Sequence, residues 1–351
     1  MTTKKSDKLS LKAKAIIALV IIIVIALGVT AFSYYLKYFG PNVSNKEEYL
    51  YIRTGSNFND VYNTIKDKEM VNDTLSFYEA ALGMDYPPVV KPGKYRLKGG
   101  MSNRRLINML KSGSQEAVQL KLKTHRLKQN MAGYISTQIE ADSATIMNLL
   151  DSADFVSKYG FTTENVYSAF IPNSYEIYWN TSAEQFFERM YKEYQKFWTN
   201  ERKAKAKEIG LSETEVSTLA AVVDAEALND SEMPTIAGLY MNRYKSGIKL
   251  QADPTVIYAN QDFTIRRVLN RHLVKNSPYN TYVHTGLPPG PIMMPSIKAI
   301  DAVLNYKKHK FIYMCAKEDF SGYHNFAVTQ AEHQANARRF QKALNERNIK
   351  K

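Results

Sequence analysis

LAAVVDAEALNDSEMPTIAGLYMNRYKSGIKLQADPTVIY, residues 219–258, reads as a run of consecutive helices, and that reading sets the fold class. Just upstream, Ser212 and Glu215 in LSETEV form a capping box, in which the serine hydroxyl accepts from the Glu215 amide while the glutamate reaches back. The helix start is therefore fixed, and Glu226 falls about four turns later, near the C-terminal end. Pro234 suits the first turn of a partner helix that turns Ile236, Leu239 and Tyr240 inward and stops at Gly247. Asp253-Pro254 then reads as an N-cap with a first-turn proline opening TVIYA; capping accounts for Asp253 better than direct chemistry does.

Helix positions three, four and seven residues apart share a face, so Glu226 lies on one stripe with Val223, Val222 and Leu219. A carboxyl there loses water, which disfavours its charged form and raises its pKa. Such a glutamate donates a proton near neutral pH and is a candidate general acid. Two plainer readings stay open: an ordinary polar interruption, or a buried glutamate paired with Arg243 or Lys249.

At 351 residues, and roughly 100 to 200 residues per domain, the chain has room for two domains. A hydrophobic share of 44% supplies a core and argues against wholesale disorder. The 47 Lys and Arg exceed the 34 Asp and Glu to give +13, of which Lys4, Lys5, Lys8, Lys12 and Lys14 against Asp7 contribute +4. A basic surface suits nucleic acid, anionic headgroups or an acidic wall polymer, and location must decide. The single cysteine, Cys315, excludes an intrachain disulfide and a Cys-rich metal site. It lies in FIYMCA, which reads as a buried strand carrying a structural thiol.

Location comes from residues 15–36, AIIALVIIIVIALGVTAFSYYL, a stretch without charge that is long enough to cross a bilayer core of roughly 30 Å as a helix. The lysines before it place the N-terminus in the cytoplasm and everything after Lys37 outside. Tyr34, Tyr35 and Tyr38 suit an aromatic belt. A cleaved signal peptide competes, with Val29-Thr30-Ala31 as its small-residue site, but the apolar run continues past that point and favours a retained anchor. The expected location is the cell (inner) membrane, single-pass, with the catalytic part extracytoplasmic or periplasmic. Nucleic acid is then no partner.

The predicted organisation is α+β: a cytoplasmic tail at 1–14, a transmembrane helix at 15–36, a tether at 37–45, a small subdomain at 46–115 and a mixed domain at 116–351. In the subdomain, EEYLYIRTG and KPGKYRL read as strands. Ser56 is expected to cap a helix burying Phe58, Val61 and Ile65, and Ser102 one burying Leu106, Ile107 and Leu110. This set resembles a LysM-like module that contacts wall glycans; a scaffold subdomain that binds nothing fits equally well.

In the larger domain, VQLKLK at 118–123 alternates as a strand does, and polar helices follow to about 160. In VYSAFIPNSYEIYW, Pro172 and Asn173 mark a turn. Residues 184–208 place Phe186, Phe187, Met190, Tyr191 and Tyr194 on a helical core stripe that ends in a basic, exposed tail. The loop KNSPYNTYVHTGLPPGPIMMPS has the composition of an ordered site-building loop. Its Ser277, Tyr279, Asn280 and Thr281 offer hydrogen bonds suited to sugar hydroxyls. A short helix at 296–305, a KFIYMCA and GYHNFAV hairpin, and a closing helix bearing Glu332 and His333 complete the chain.

The six histidines show no metal-ligand spacing, and HExxH, GxSxG and P-loop motifs are absent, so neither a metal nor a cofactor is expected. Ordinary glycoside hydrolysis needs two carboxylates. Asp224 points to another helix face and Asp253 reads as a cap. A single carboxyl still cleaves a glycan when the sugar supplies its own nucleophile: Glu226 protonates the leaving oxygen, then takes the proton of a hydroxyl on the same residue.

ADPTVIY at 252–258, SPYNTY at 277–282, GLPPGPI at 286–292, PS at 295–296 and GYHNFAVTQAEH follow one another in an order that resembles the membrane-anchored endolytic murein transglycosylases of the MltG, or YceG-like, family, over about residues 45 to 345. The resemblance implies a peptidoglycan lytic transglycosylase, a lyase of cell-wall biogenesis. It would cut MurNAc-GlcNAc bonds in nascent strands to leave 1,6-anhydroMurNAc ends, beside cell-wall synthases. The family's catalytic glutamate lies in a segment like VEKEA, whose second acid matches Glu226 in VDAEA. By the same resemblance Gln251, Asp253, Ser277, Tyr279 and Asn280 line the substrate. The family's EG..FPDTY segment is YSAFIPNSY here, so Tyr167, Ser168, Asn173 and Ser174 depart from it. That departure favours the alternative, a non-catalytic peptidoglycan-binding scaffold that recruits synthases; the glutamate on its apolar face favours the enzyme.

Overall fold

In the computed structural model, which describes residues 10–44 and 48–347, the apolar run lies inside one helix, α1 (Leu11–Phe39), that extends past it at both ends. No residue of α1 is buried, and its length and composition suffice to cross a membrane. Lys12 and Lys14 fall in its first turns, whereas Lys4, Lys5, Asp7 and Lys8 lie outside the described residues.

The chain divides into two units, the first formed by the residues up to Val118 together with Tyr178–Asn180. Its strands β1 (Glu48–Ile52) and β2 (Gly93–Leu97) pair antiparallel, with Leu50 opposite Tyr95. Helices α2 (Phe58–Asp67) and α3 (Thr74–Gly83) lie between them in sequence, and α4 (Asn103–Ser112) follows. Phe58, Val61 and Ile65 pack in one core with Leu106, Ile107 and Leu110, as their spacing predicts. Ser102 caps α4 by accepting from the Arg105 amide. The cap of α2 is Asn57, not Ser56: Asn57 accepts from the Asn59 and Asp60 amides while Asp60 reaches back. The polar residue adjoining Phe58 takes the box, because only it stands immediately before the first helical residue. The expected tether is also corrected. Asn42 and Val43 are buried, and Val43 bridges to Val71, so this segment is built into the unit's core; residue 45 lies outside the described residues.

The second unit comprises Gln119–Ile177 and the residues from Thr181 onward. Strand β3 (Val118–Leu122) alternates buried and exposed residues as expected. Three short helices follow, α5 (Lys128–Ser136), α6 (Ser143–Leu150) and α7 (Ala153–Ser157), before β4 (Asn173–Ile177) pairs with β3. The aromatic helix expected over 184–208 is two helices, α8 (Ala183–Phe197) and α9 (Asn200–Ile209). Thr199 separates them by capping α9 through the Arg202 amide. The stripe of Phe186, Phe187, Met190 and Tyr194 is buried, but α9 is no exposed tail, since Ala206 and Ile209 turn into the core.

The helix α10 (Glu213–Glu226) starts at the predicted Ser212–Glu215 box. It is buried continuously from Val216 to Val223 because α9 and three further helices surround it: α11 (Met233–Lys245), α12 (Asp253–Asn260) and, after α13 (Asn270–Leu273), α14 (Ile297–Leu304). Strands β5 (Tyr313–Ala316) and β6 (His324–Ala327) form the expected hairpin, which packs on α15 (Gln330–Glu346). Two glycines mark close approaches. A side chain at Gly238 on α11 would strike the Lys307 carbonyl and the His309 ring, and one at Gly290 would strike the Glu164 carbonyl.

Candidate active site

Glu226 is the last residue of α10, and the chain leaves the helix at Ala227 in an extended conformation. Its carboxyl accepts from the Tyr240 hydroxyl at 3.1 Å and from the backbone amide of Asp253. That amide is free because Asp253 is the first residue of α12 and has no partner one turn back. Burial and then the negative charge of Asp253 push Glu226 up to about 7, while the two hydrogen bonds pull it partly back. The paired reading fails. Arg243 donates to the carbonyls of Ile312, Lys249 and Leu250 and to Gln251 Oε1, not to Glu226. Asp224 accepts from the Ser296 amide at 2.7 Å and so fastens the start of α14 instead.

Asp253 overturns its expected role. The N-cap of α12 is Ala252, and no side chain caps the helix; Asp253 Oδ1 accepts from the Tyr282 hydroxyl at 2.7 Å. The reason is a clasp between ADPTVIY and SPYNTY. Thr281 Oγ1 accepts from the Ala252 amide at 3.0 Å and lies 2.7 Å from Thr255 Oγ1, and the Gln251 amide donates to the Thr281 carbonyl. With Ala252 held in this way, the helix opens one residue earlier than the Asp-Pro pattern suggests, and the Asp253 carboxylate is released to stand beside Glu226.

Glu226, Tyr240, Arg243, Gln251, Asp253 and Tyr282 line one side of a cavity of about 620 Å³. Tyr313, Cys315, His324 and His333, from the hairpin and α15, line the other. Gln251 holds a left-handed backbone with φ 54°, costly for a non-glycine residue, and its side chain accepts from Arg243 Nη1 at 3.2 Å. Strand β5 was expected to be buried. It is half-buried, because the two-stranded hairpin packs on α15 and all four residues of β5 also border the cavity. Burial still raises the Cys315 thiol, which keeps it protonated. Among the described residues no three His, Cys, Asp or Glu side chains converge as a metal site.

Of the residues singled out from the sequence, Glu226, Gln251 and Asp253 share this cavity; Ser277, Tyr279 and Asn280 do not line it. Asn280 is fully buried, and its side chain donates to the Leu273 and Lys275 carbonyls and accepts from the Tyr282 amide. Ser277 accepts from the Tyr279 amide, and the Tyr279 ring packs against Tyr258 at 4.7 Å. These side chains hold the loop and its clasp. The sequence does not single out Tyr240 and Tyr282, whose hydroxyls donate to the Glu226 and Asp253 carboxyls: Tyr240 has the spacing of one more core residue, and Tyr282 ends a motif that also holds Ser, Asn and Thr. The departing segment is internal at one end and exposed at Asn173 and Ser174. Tyr167 and Ser168 are buried, with Tyr167 donating to the His125 carbonyl, and none of the four altered residues lines this cavity.

A family model described as the YceG-like family matches residues 50–339. The chain is 27% identical over 320 residues to a Bacillus subtilis protein named endolytic murein transglycosylase, covering 84% of this chain and 85% of that one. A Streptococcus pneumoniae protein of the same name is 26% identical over 344 residues, which is 88% of this chain but only 61% of the longer relative. The crystal structure of a yceG-like protein from Listeria monocytogenes superposes with a TM-score of 0.54 at 24% identity, over 83% of this chain and 99% of that one, a likeness of fold.

Proposed function

With residues 50–339 matching its model, this chain belongs to the YceG-like family, and from that premise we propose that it is a peptidoglycan lytic transglycosylase with Glu226 as its general acid and then its base. The observation that carries the reading is the Glu226 carboxyl, pushed up to about 7 in a cavity large enough for sugar rings. Named relatives that are endolytic murein transglycosylases support the substrate class.

The protonated carboxyl delivers its proton to the glycosidic oxygen between MurNAc and GlcNAc, and that bond breaks as positive charge develops at the muramyl C1. The resulting Glu226 carboxylate keeps the Tyr240 and Asp253 amide hydrogen bonds. It then takes the proton of the muramyl C6 hydroxyl as that oxygen attacks C1. The 1,6-anhydro ring closes, the proton returns to Glu226, and no water is consumed. Asp253 stands on the same wall as Glu226, since its own amide touches the carboxyl. Two carboxylates of a glycosidase flank the bond instead. Asp253 accordingly serves as a fixed negative charge that stabilises the oxocarbenium-like centre, held in place by Tyr282. We also assign α1 as a membrane anchor with its N-terminus cytoplasmic, which puts the cavity on the side where the wall lies.

Incubating the full chain in detergent with peptidoglycan and reading the products by mass spectrometry tests the proposal. Anhydro ends that vanish with Glu226→Gln are expected. Reducing ends would make it a hydrolase, and undiminished cleavage by Glu226→Gln would remove the assigned role.

A further inference from the structure

Arg243 is buried at 7% exposure, yet among the described residues its hydrogen-bond partners are all carbonyl or amide oxygens and none is a carboxylate. Its Nε donates to the Ile312 carbonyl at 2.7 Å, and Nη1 is shared among the Leu250 carbonyl at 2.7 Å, the Lys249 carbonyl at 3.0 Å and Gln251 Oε1. Nη2 has no hydrogen-bond partner among the described residues, and Arg243 borders the cavity. A desolvated cation held only by carbonyls is costly, and the remedy is an anion at its free edge.

A second observation points the same way. The Arg243 guanidinium lies over the Tyr313 ring at 5.5 Å, and the His333 ring stacks on Tyr313 at 5.2 Å. His333 Nδ1 is buried without a partner, and burial followed by the Arg243 charge lowers the imidazole pKa, so the ring stays neutral. The cavity lining therefore carries both kinds of group: the Glu226 and Asp253 carboxyls, and the Arg243 guanidinium with the neutral His333 ring, both in contact with the Tyr313 ring. Tyr240 and Tyr282 feel charges of both signs.

We propose that Arg243, through Nη2 and with His333 beside it, is the subsite for a carboxylate carried on the muramyl side arm of the substrate, so that the sugar is oriented by its charge before Glu226 acts. The proposal rests on the transglycosylase reading above. Two sources supply this chemistry: the free lactyl carboxylate of a peptide-free sugar, or a carboxylate of the stem peptide.

The test measures binding, so that it stands apart from cleavage. Full-length Glu226→Gln protein in detergent is titrated with short soluble glycan strands in four forms: peptide-bearing and peptide-stripped, each with its carboxylates free or all capped as methylamides. Capping should weaken binding of the pair that carries the recognised carboxylate by about tenfold or more, the scale of one charge-assisted hydrogen bond. The difference should vanish when Arg243→Gln is added. Full affinity of stripped strands assigns the lactyl carboxylate; full affinity of stem-bearing strands alone assigns the peptide. Equal affinity of capped and uncapped strands in both the stripped and the peptide-bearing pair overturns the proposal, as does a capping effect that survives Arg243→Gln. Should Arg243→Gln fail to fold, the capped-to-uncapped ratio on the Arg243-intact protein decides. Failure of the wild type to form anhydro ends would overturn the transglycosylase reading and leave a measured capping effect standing.

Discussion

Glu226→Gln should stabilise the fold at alkaline pH while abolishing activity. In the folded protein burial and the Asp253 charge push Glu226 from the ordinary glutamate value of 4.5 up to about 7. Below pH 4.5 both folded and unfolded chains hold the proton and nothing is lost. As the pH rises through 7, the unfolded chain ionises in water, whereas the folded chain must hold a desolvated charge or retain its proton. At 1.36 kcal/mol per pH unit, that interval takes about 3 kcal/mol from the wild type. Glutamine has nearly the same shape, never ionises, and still accepts from the Tyr240 hydroxyl and the Asp253 amide. The two proteins should therefore melt together near pH 4 and separate as the pH rises. At about pH 8.5 the gap should reach roughly 6 to 12 °C for a unit of this size. Calorimetry of the full chain in detergent, across that pH range, reads the gap directly. A difference that is independent of pH, or a variant less stable than wild type at high pH, refutes the desolvation argument.

Tyr240→Phe removes a donor that favours the Glu226 carboxylate; the alkaline limb of the kcat/KM profile should move up by about one pH unit, and no shift would mean the bond is not made to the ionised form. Asp253→Asn removes the charge that raises Glu226, so the same limb should move down by about one unit; a shift in the direction of Tyr240→Phe would contradict that cause. Gly290→Ala places a methyl against the Glu164 carbonyl and should cost about 1–3 kcal/mol, measured as a lower urea midpoint at unchanged slope; wild-type stability would show that the two segments separate freely.

What could be read from the sequence was local. The Ser212–Glu215 box and the Leu219, Val222, Val223 stripe lie within a few turns of Glu226, so they placed it at the end of α10 without tertiary information. Asp253 needed more. Whether an Asp-Pro pair sits at the cap or inside the first turn depends here on Thr281, 28 residues away and bonded to the Ala252 amide. The loop from Ser277 to Tyr282 shows the same limit: its most polar side chains fold the loop, and a tyrosine reaches the cavity. The hairpin was legible as two strands, yet no pattern in YMCA says that β5 borders a cavity. Separating α8 from α9 needed a residue that starts a new helix inside a sequence of strong helix formers, and Thr199 does so as the N-cap of α9.

Gly238 carries a further consequence. Its bare backbone lets residues 307–309 run against α11, where the Lys307 amide reaches the Pro234 carbonyl and Asn242 holds the His309 and Phe311 carbonyls. Residue 313, where β5 begins, follows directly. The spacing between the wall that bears the acid and the wall that faces it is thus gauged by one absent methyl group, on the opposite side of α11 from the chemistry. Larger side chains at 238 would act as shims, resizing the site for bulkier or slimmer sugar side arms without altering any group that meets them.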